Sequence, residues 1–192
     1  MDGKIIIFSA PSGSGKTTIL KTLIQSDELQ LAFSISATSR QQRENEEEGK
    51  DYYFFSPERF KQGIANEDFL EWEEVYENQF YGTLKSEIDR LHTLKKNVVF
   101  DVDVLGGLNL KRFFGKKALA VFIMPPSMEV LEERLRGRGT ETEETLEKRL
   151  KKAAYELSFS KKFDYILIND ELKESISTAH QLIFNFLNQH KY

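Results

Sequence analysis

The stretch Ile5-Ile6-Ile7-Phe8-Ser9-Ala10-Pro11-Ser12-Gly13-Ser14-Gly15-Lys16-Thr17-Thr18 leaves this chain few folds to choose from. Four apolar residues suited to a buried parallel strand run into a loop of small residues. The loop closes on Gly-Lys-Thr, and helical spacing follows at Ile19, Leu20, Leu23 and Ile24. Strand, loop and helix in that order aim the loop's backbone N–H groups and the first helical turn at one spot, where the helix dipole also favours negative charge. This is the form of a P-loop. It predicts nucleotide phosphates at Ser12, Gly13, Ser14, Gly15, Lys16, Thr17 and Thr18, with Lys16 as the cation for the β- and γ-phosphates and the Thr17 hydroxyl as a ligand of Mg²⁺. Ala10 holds the place where the general pattern opens with glycine. Alanine is acceptable there if φ is negative, whereas Gly13 and Gly15 fall where the backbone must turn tightly or approach phosphate closely. A lysine at a helix N-terminus opposes the dipole and needs an anion beside it.

Further short apolar runs recur along the chain, at 33–37, 98–103, 119–124 and 165–169, with helical patterns between them. Strands alternating with helices predict an α/β fold, a mainly parallel five-stranded sheet flanked by helices on both faces. The 192 residues suffice for one core with an inserted lobe and are too few for two full enzyme domains. A single domain over 1–192 is expected, with its core at 1–37 and 84–192. Residues from about 38 to 83 are aromatic and highly charged, with strand-like pieces at 52–55 and 72–81 and a helix from Pro57, capped by Ser56, to Gly63. They read as a lobe standing over the sheet's C-terminal edge, where ligands of such folds bind. The last helix, 172–188, carries Ile176, Ala179, Ile183 and Leu187 at the spacing of a buried face.

The net charge of −4 argues against bulk nucleic-acid binding, so positive charge that holds phosphate must be concentrated locally. The chain has no cysteine, which removes disulfides, thiolate metal sites and thiol nucleophiles together and is compatible with the cytoplasm. The longest apolar run, 118–124, falls far short of the ~18 residues of a membrane span, and residues 1–4 lead directly into the first strand without a signal-peptide pattern. The strand at 97–101 ends in Asp101, the form of a Walker B strand whose carboxylate lies beside the P-loop and helps to hold Mg²⁺, here through water. Arg134-Leu135-Arg136-Gly137-Arg138-Gly139-Thr140 is a basic loop with glycines, followed by a helix that carries Arg149. It reads as a lid, about 134–149, closing over phosphates. His92, His180 and His190 fall on predicted helix surfaces or in the C-terminal tail and are left without a role.

Taken together, these patterns resemble those of the guanylate kinase family, bacterial type. Beyond the P-loop, the resemblance rests on Ser36-Ala37-Thr38-Ser39-Arg40-Gln41-Gln42-Arg43, Gly49-Lys50-Asp51-Tyr52, Phe69-Leu70-Glu71-Trp72, Tyr81-Gly82-Thr83, Asp101-Val102-Asp103, Pro125-Pro126-Ser127, Arg134 to Glu144, Lys148-Arg149-Leu150 and Asn169-Asp170. It covers nearly the whole chain in the family's order and includes the Ala-Pro-Ser-Gly form of the loop. It implies a P-loop core with a GMP-binding lobe and a lid, and transfer of the γ-phosphoryl of ATP to GMP, with Mg²⁺. In residue terms, the resemblance gives the GMP phosphate to Arg40, Arg43, Tyr52 and Tyr81 and the guanine to Ser36, Glu71, Thr83 and Asp103. ATP and the moving phosphoryl fall to the loop, Asp101, Arg134, Arg138 and Arg149, and Asn169 lies near the adenine.

The chemistry suits that set. A phosphomonoester brings nearly two negative charges, which arginine forks and tyrosine hydroxyls match. Guanine offers donors at N1 and N2 to a carboxylate such as Glu71, whereas adenine would set a lone pair against it. Gln42 and Asn45 stand where the family commonly has proline and glycine, which predicts a looser loop; Leu105 replaces a common glutamine, and the turn before Tyr81 is one residue longer. Two other classes stay open at this point: a guanylate-kinase-like module that binds phosphopeptides without catalysis, and a kinase of phosphorylated ribose. Bland roles also stay open. Arg40 and Arg43 suit a solvated loop, Asp103 a helix cap, and Trp72 core packing.

Overall fold

The computed structural model describes residues 4–137 and 142–189. In chain order its strands are β1 (Ile5–Ser9), β2 (Leu31–Phe33), β3 (Ser36–Thr38), β4 (Tyr52–Phe54), β5 (Phe69–Tyr76), β6 (Gln79–Leu84), β7 (Asn97–Asp101), β8 (Ala118–Met124) and β9 (Tyr165–Ile168). The helices are α1 (Lys16–Leu23), α2 (Pro57–Ala65), α3 (Lys85–Leu94), α4 (Val104–Phe114), α5 (Met128–Arg136), α6 (Glu143–Leu157) and α7 (Leu172–Asn188).

Five strands form a parallel sheet in the order β2-β7-β1-β8-β9. β1 lies at its centre and is buried throughout, as an unbroken apolar run covered on both faces requires. Alternate side chains separate the core into two layers. Ile6 and Phe8 pack with Ile19, Leu20 and Leu23 of α1 and Ala179 and Ile183 of α7. Ile5 and Ile7 pack on the other face with Leu91 of α3, Leu110 of α4 and Phe122. After β1 the chain moves to one side of it, and β8 and β9 lie on the other. The crevice at that reversal opens above the C-terminal ends of β1 and β7, and both chemical motifs end there.

A second sheet, β4-β3-β6-β5, makes the lobe around its own small core of Ala37, Phe60, Phe69 and Phe80. The run 33–37, expected as one core strand, is divided between the sheets. Phe33 pairs with Val99 in the large sheet, and Ser36 pairs with Tyr52 in the small one. Hydropathy runs through the break unchanged, because both pieces are partly buried. Helix α2 begins at Pro57 with the Ser56 hydroxyl accepting from the Arg59 N–H, as expected, but continues past Gly63 to Ala65. Gly63 serves close packing: a Cβ there would stand 2.8 Å from the Phe69 ring. Trp72, expected in the lobe's core, is 43% exposed, because β5 turns its neighbours Glu71 and Glu73 inward.

Candidate active site

The loop after β1 has the geometry its residues predict. Gly13 (φ 95°) and Gly15 (φ 89°) take left-handed backbone, whereas Ala10 does not, so alanine fits there without strain. At Gly15 a Cβ would lie 2.2 Å from Asn169 Nδ2, so glycine lets the loop backbone take the Asn169 side-chain amide this closely. That amide donates to the Ser14 carbonyl at 2.7 Å, and Arg134 Nη2 donates to the Asn169 carbonyl at 3.0 Å. Asn169 and Arg134 thus brace the loop from behind rather than line the cleft in front of it. Ser14 Oγ, Asn169 Oδ1 and Arg134 Nη1 are buried without a partner, and such atoms concentrate where a structure awaits a ligand or water.

The β1–β7 register sets Phe8 opposite Asp101, which brings the strand-end carboxylate beside the loop. Lys16 Nζ lies 2.5 Å from Asp101 Oδ1 and donates to the Val102 carbonyl at 2.8 Å. Thr17 and Thr18 line the cleft, and Arg149 of α6 reaches over the loop to donate to Ser12 Oγ at 3.0 Å. Arg138 lies outside the described residues. A hydroxyl at Thr17 and a carboxylate at Asp101 are hard oxygen donors suited to Mg²⁺, which takes few ligands from protein and the rest from phosphates and water.

From the loop the cleft extends as one cavity of about 380 Å³ to the lobe, where Ser36, Arg43, Tyr52, Glu71, Tyr81 and Asp103 line it. Glu71 is 8% exposed and accepts from the Thr83 hydroxyl at 2.7 Å, so Thr83 acts behind Glu71 and not at the cavity wall. Burial pushes the Glu71 carboxyl up to about 7; Thr83 opposes that rise and the Asp103 charge adds to it. Asp103 also caps α4, accepting from the Gly106 N–H at 2.8 Å, so one residue both caps the helix and lines the cleft. Arg40 stands behind the tyrosines. Its Nε donates to the Tyr81 hydroxyl at 3.2 Å, and its guanidinium lies 4.9 Å from the centre of the Tyr52 ring. Burial pushes the Tyr52 hydroxyl up to about 12, which keeps it a neutral donor.

Four residues at the site were not singled out from the sequence. Glu46 grips Arg40 with both oxygens, at 2.6 and 2.7 Å, and accepts the Arg43 N–H at 2.9 Å. The hydrogen bonds from Arg40 hold the Glu46 carboxyl below the usual range. In the sequence it is hidden inside the run 44–48, which reads as a solvated face. Gln42 donates to the Glu46 carbonyl, so the loop expected to be loose is tied to its own acidic end. Glu73, Lys152 and Glu156 meet where β5, α4 and α6 converge, with Leu105 beside them. Lys152 Nζ sits 4.8 Å from the centre of the Tyr76 ring, a contact between α6 and the lobe. No local motif signals this meeting, which is made by three distant segments. His180 is bound to Ser26 and Glu28, away from the cleft.

Comparison with known proteins agrees over nearly the whole chain. The family model "Guanylate kinase" matches residues 2–186. A guanylate kinase of Bacteroides fragilis is 54% identical over 186 residues, 97% of this chain and 91% of that protein. One from Bacteroides thetaiotaomicron is 49% identical over 98% of this chain and 92% of its own. The crystal structure of guanylate kinase from Anaplasma phagocytophilum superimposes with a TM-score of 0.76 at 28% identity, covering 96% of this chain and 86% of the other.

Proposed function

The chain belongs to the guanylate kinase family, and from that premise we propose how its residues divide the family's reaction between them. It is an ATP:GMP phosphotransferase: the γ-phosphoryl of ATP passes to GMP, giving ADP and GDP. The observation that supports the division most is that one cavity runs from the loop's phosphate cradle to the buried Glu71 carboxylate.

At the donor end, the loop N–H groups from Gly13 to Thr18 hold the phosphates of ATP, and Lys16 exchanges Asp101 for them. Asn169 and Arg134 support that loop beside the adenine. Thr17, and Asp101 through water, would hold Mg²⁺, which would supply positive charge to offset that of the phosphates. At the acceptor end, Arg40, Arg43, Tyr52 and Tyr81 hold the GMP phosphate, while Ser36, Glu71, Thr83 and Asp103 read the guanine. The lobe, about 38–83, and the lid, about 134–149, close on the two nucleotides. The nucleophile is a phosphate oxygen that is already ionised, so no general base is needed. What opposes transfer is repulsion between two anions, and Lys16, Arg149 and Arg138 offset it while holding the groups in line. Among the described residues no helix is long and apolar enough to cross a membrane, and a cytoplasmic enzyme working on free nucleotides fits this chemistry.

A panel of acceptors with ATP and Mg²⁺, read by ADP release and product identity, tests the assignment. GMP and dGMP are expected to be phosphorylated, and AMP, UMP and ribose bisphosphate to give little above the acceptor-free rate. No GDP from GMP would overturn it.

A further inference from the structure

One charged group is buried more completely than any in the cleft and takes no part in the chemistry above. Glu87, in the first turn of α3, is 1% exposed. Its Oε1 accepts the Ile35 N–H at 2.7 Å and Arg90 Nη2 at 2.6 Å. Its Oε2 accepts Arg90 Nε at 2.8 Å and the Tyr53 hydroxyl at 3.3 Å. All four acceptor positions of the carboxylate are therefore filled. Arg90 Nη2 also donates to the Phe33 carbonyl at 2.9 Å.

These partners lie on both sides of the join between the two sheets. Phe33 ends β2, whose next residue, Ser34, still donates to Val99 of the large sheet. Ile35 is the step between sheets, and Tyr53 lies within β4 of the lobe. The helix that carries Glu87 packs on the core through Leu91 and Ile88. A buried ion pair adds little net stability because of its desolvation cost, but a fully satisfied one fixes a single arrangement. What it fixes here is specific. Ser36 pairs with Tyr52, and Ala37 with Tyr53. Glu87 grips the residue before Ser36 and the residue after Tyr52, and both Ser36 and Tyr52 face the cleft.

We propose that Glu87, held by Arg90, is a positioning residue of the acceptor site: from behind the lobe it sets the heads of β3 and β4, and so where the Ser36 and Tyr52 hydroxyls stand. The proposal rests on the acceptor reading above, in which those hydroxyls meet GMP.

The test compares Glu87→Ala, Glu87→Gln and Tyr53→Phe with the wild type in steady state, varying GMP and ATP separately and following the thermal transition of each protein. Misplaced contacts should raise KM for GMP about tenfold to a hundredfold in Glu87→Ala, with KM for ATP unchanged. Glu87→Gln keeps an acceptor for Ile35 and should fall between it and the wild type, and Tyr53→Phe should raise KM for GMP a few-fold. A merely structural Glu87 would lower the transition temperature and the active fraction while leaving KM for GMP unmoved, and that result overturns the proposal. If Glu87→Ala does not fold, Glu87→Gln and Tyr53→Phe decide by the same split. A wild-type protein that makes no GDP would instead overturn the acceptor reading itself.

Discussion

β1 and β5 each end or lie in the cleft, yet they are built on opposite plans. β1 is apolar on both faces and delivers a loop whose donors are backbone N–H groups. β5 turns Glu71 and Glu73 inward, leaves Trp72 half-exposed, and breaks register between Glu74 and Tyr76. The donor end is thus made of main chain set by glycines, and the acceptor end of side chains set by one another. In the proposed division of the site, binding of a nucleoside triphosphate draws on the first and choice of base on the second. The widest separation of the two should come from Lys16→Ala. Loss of one charge-stabilising donor in a water-poor site typically lowers kcat by about 10²- to 10³-fold. KM for GMP should stay within a few-fold, since Lys16 lies at the donor end, paired with Asp101. Equal changes in kcat and in KM for GMP, seen in initial-rate measurements, would mean that the two ends do not act separately.

Glu71→Gln probes the other end. Hydrogen bonds to a charged group are worth about 1.5–3 kcal/mol, so kcat/KM for GMP should fall about 10- to 100-fold with KM for ATP unmoved. The same carboxylate gives the acceptor end a pH dependence the donor end lacks. Burial keeps the proton on Glu71 up to about 7, and under the proposed role the guanine donors need it gone. The site is therefore competent above that value and loses GMP as pH falls, with KM for GMP at pH 6 about tenfold above its high-pH limit. The phosphate of GMP titrates near the same range. It does so equally in both proteins, so the limb that disappears in Glu71→Gln is the carboxylate's own. An unchanged profile in the variant would remove Glu71 from the base pocket.

What could be read from the chain follows this contrast. The P-loop, its strand, three further strands of the five-stranded sheet and α7 rest on local signals, namely unbroken hydropathy, glycines in a loop and helical spacing, and stand close to where those signals put them, whereas β2 lies at Leu31–Phe33 and not over 33–37. Asp101 was legible because a strand end and a register suffice to place it. The split of 33–37 and the outward Trp72 depend on partners far along the chain or on a second sheet, and no local pattern encodes them. The grip of Glu46 on Arg40 is local, six residues away, but one carboxylate in the acidic run 44–48 carries no sign of which cation it holds. Arg134 and Asn169 show the intermediate case: residue type and neighbourhood were readable, but their place behind the loop follows from how α5 and β9 pack against it. Glu87 was invisible as one charge among many in a helix, and only the fold shows what it holds together.

The smallest effect expected lies at the seam of the two plans. Glu73 comes from the lobe and meets Asp103 and Glu156 from the core, with Oε2 buried. Burial, reinforced by Asp103, pushes its carboxyl well above the ordinary 4.5, and Lys152 opposes that rise. The folded chain therefore keeps, above 4.5, a proton that the unfolded chain has released, until pH reaches the raised value. By linkage, the contribution of Glu73 to stability falls as pH rises through that window and is flat on either side. Glutamine resembles the protonated carboxyl at every pH. Glu73→Gln should accordingly melt about 2–3 °C above the wild type at pH 8.5 and at nearly the same temperature at pH 5. The partial exposure of the cluster and the nearby lysine keep the gain small. A gain of equal size at both pH values would point to packing rather than charge, and a loss at pH 8.5 would show that the ionised Glu73 is held by Lys152 and belongs to the lobe's contact with α6.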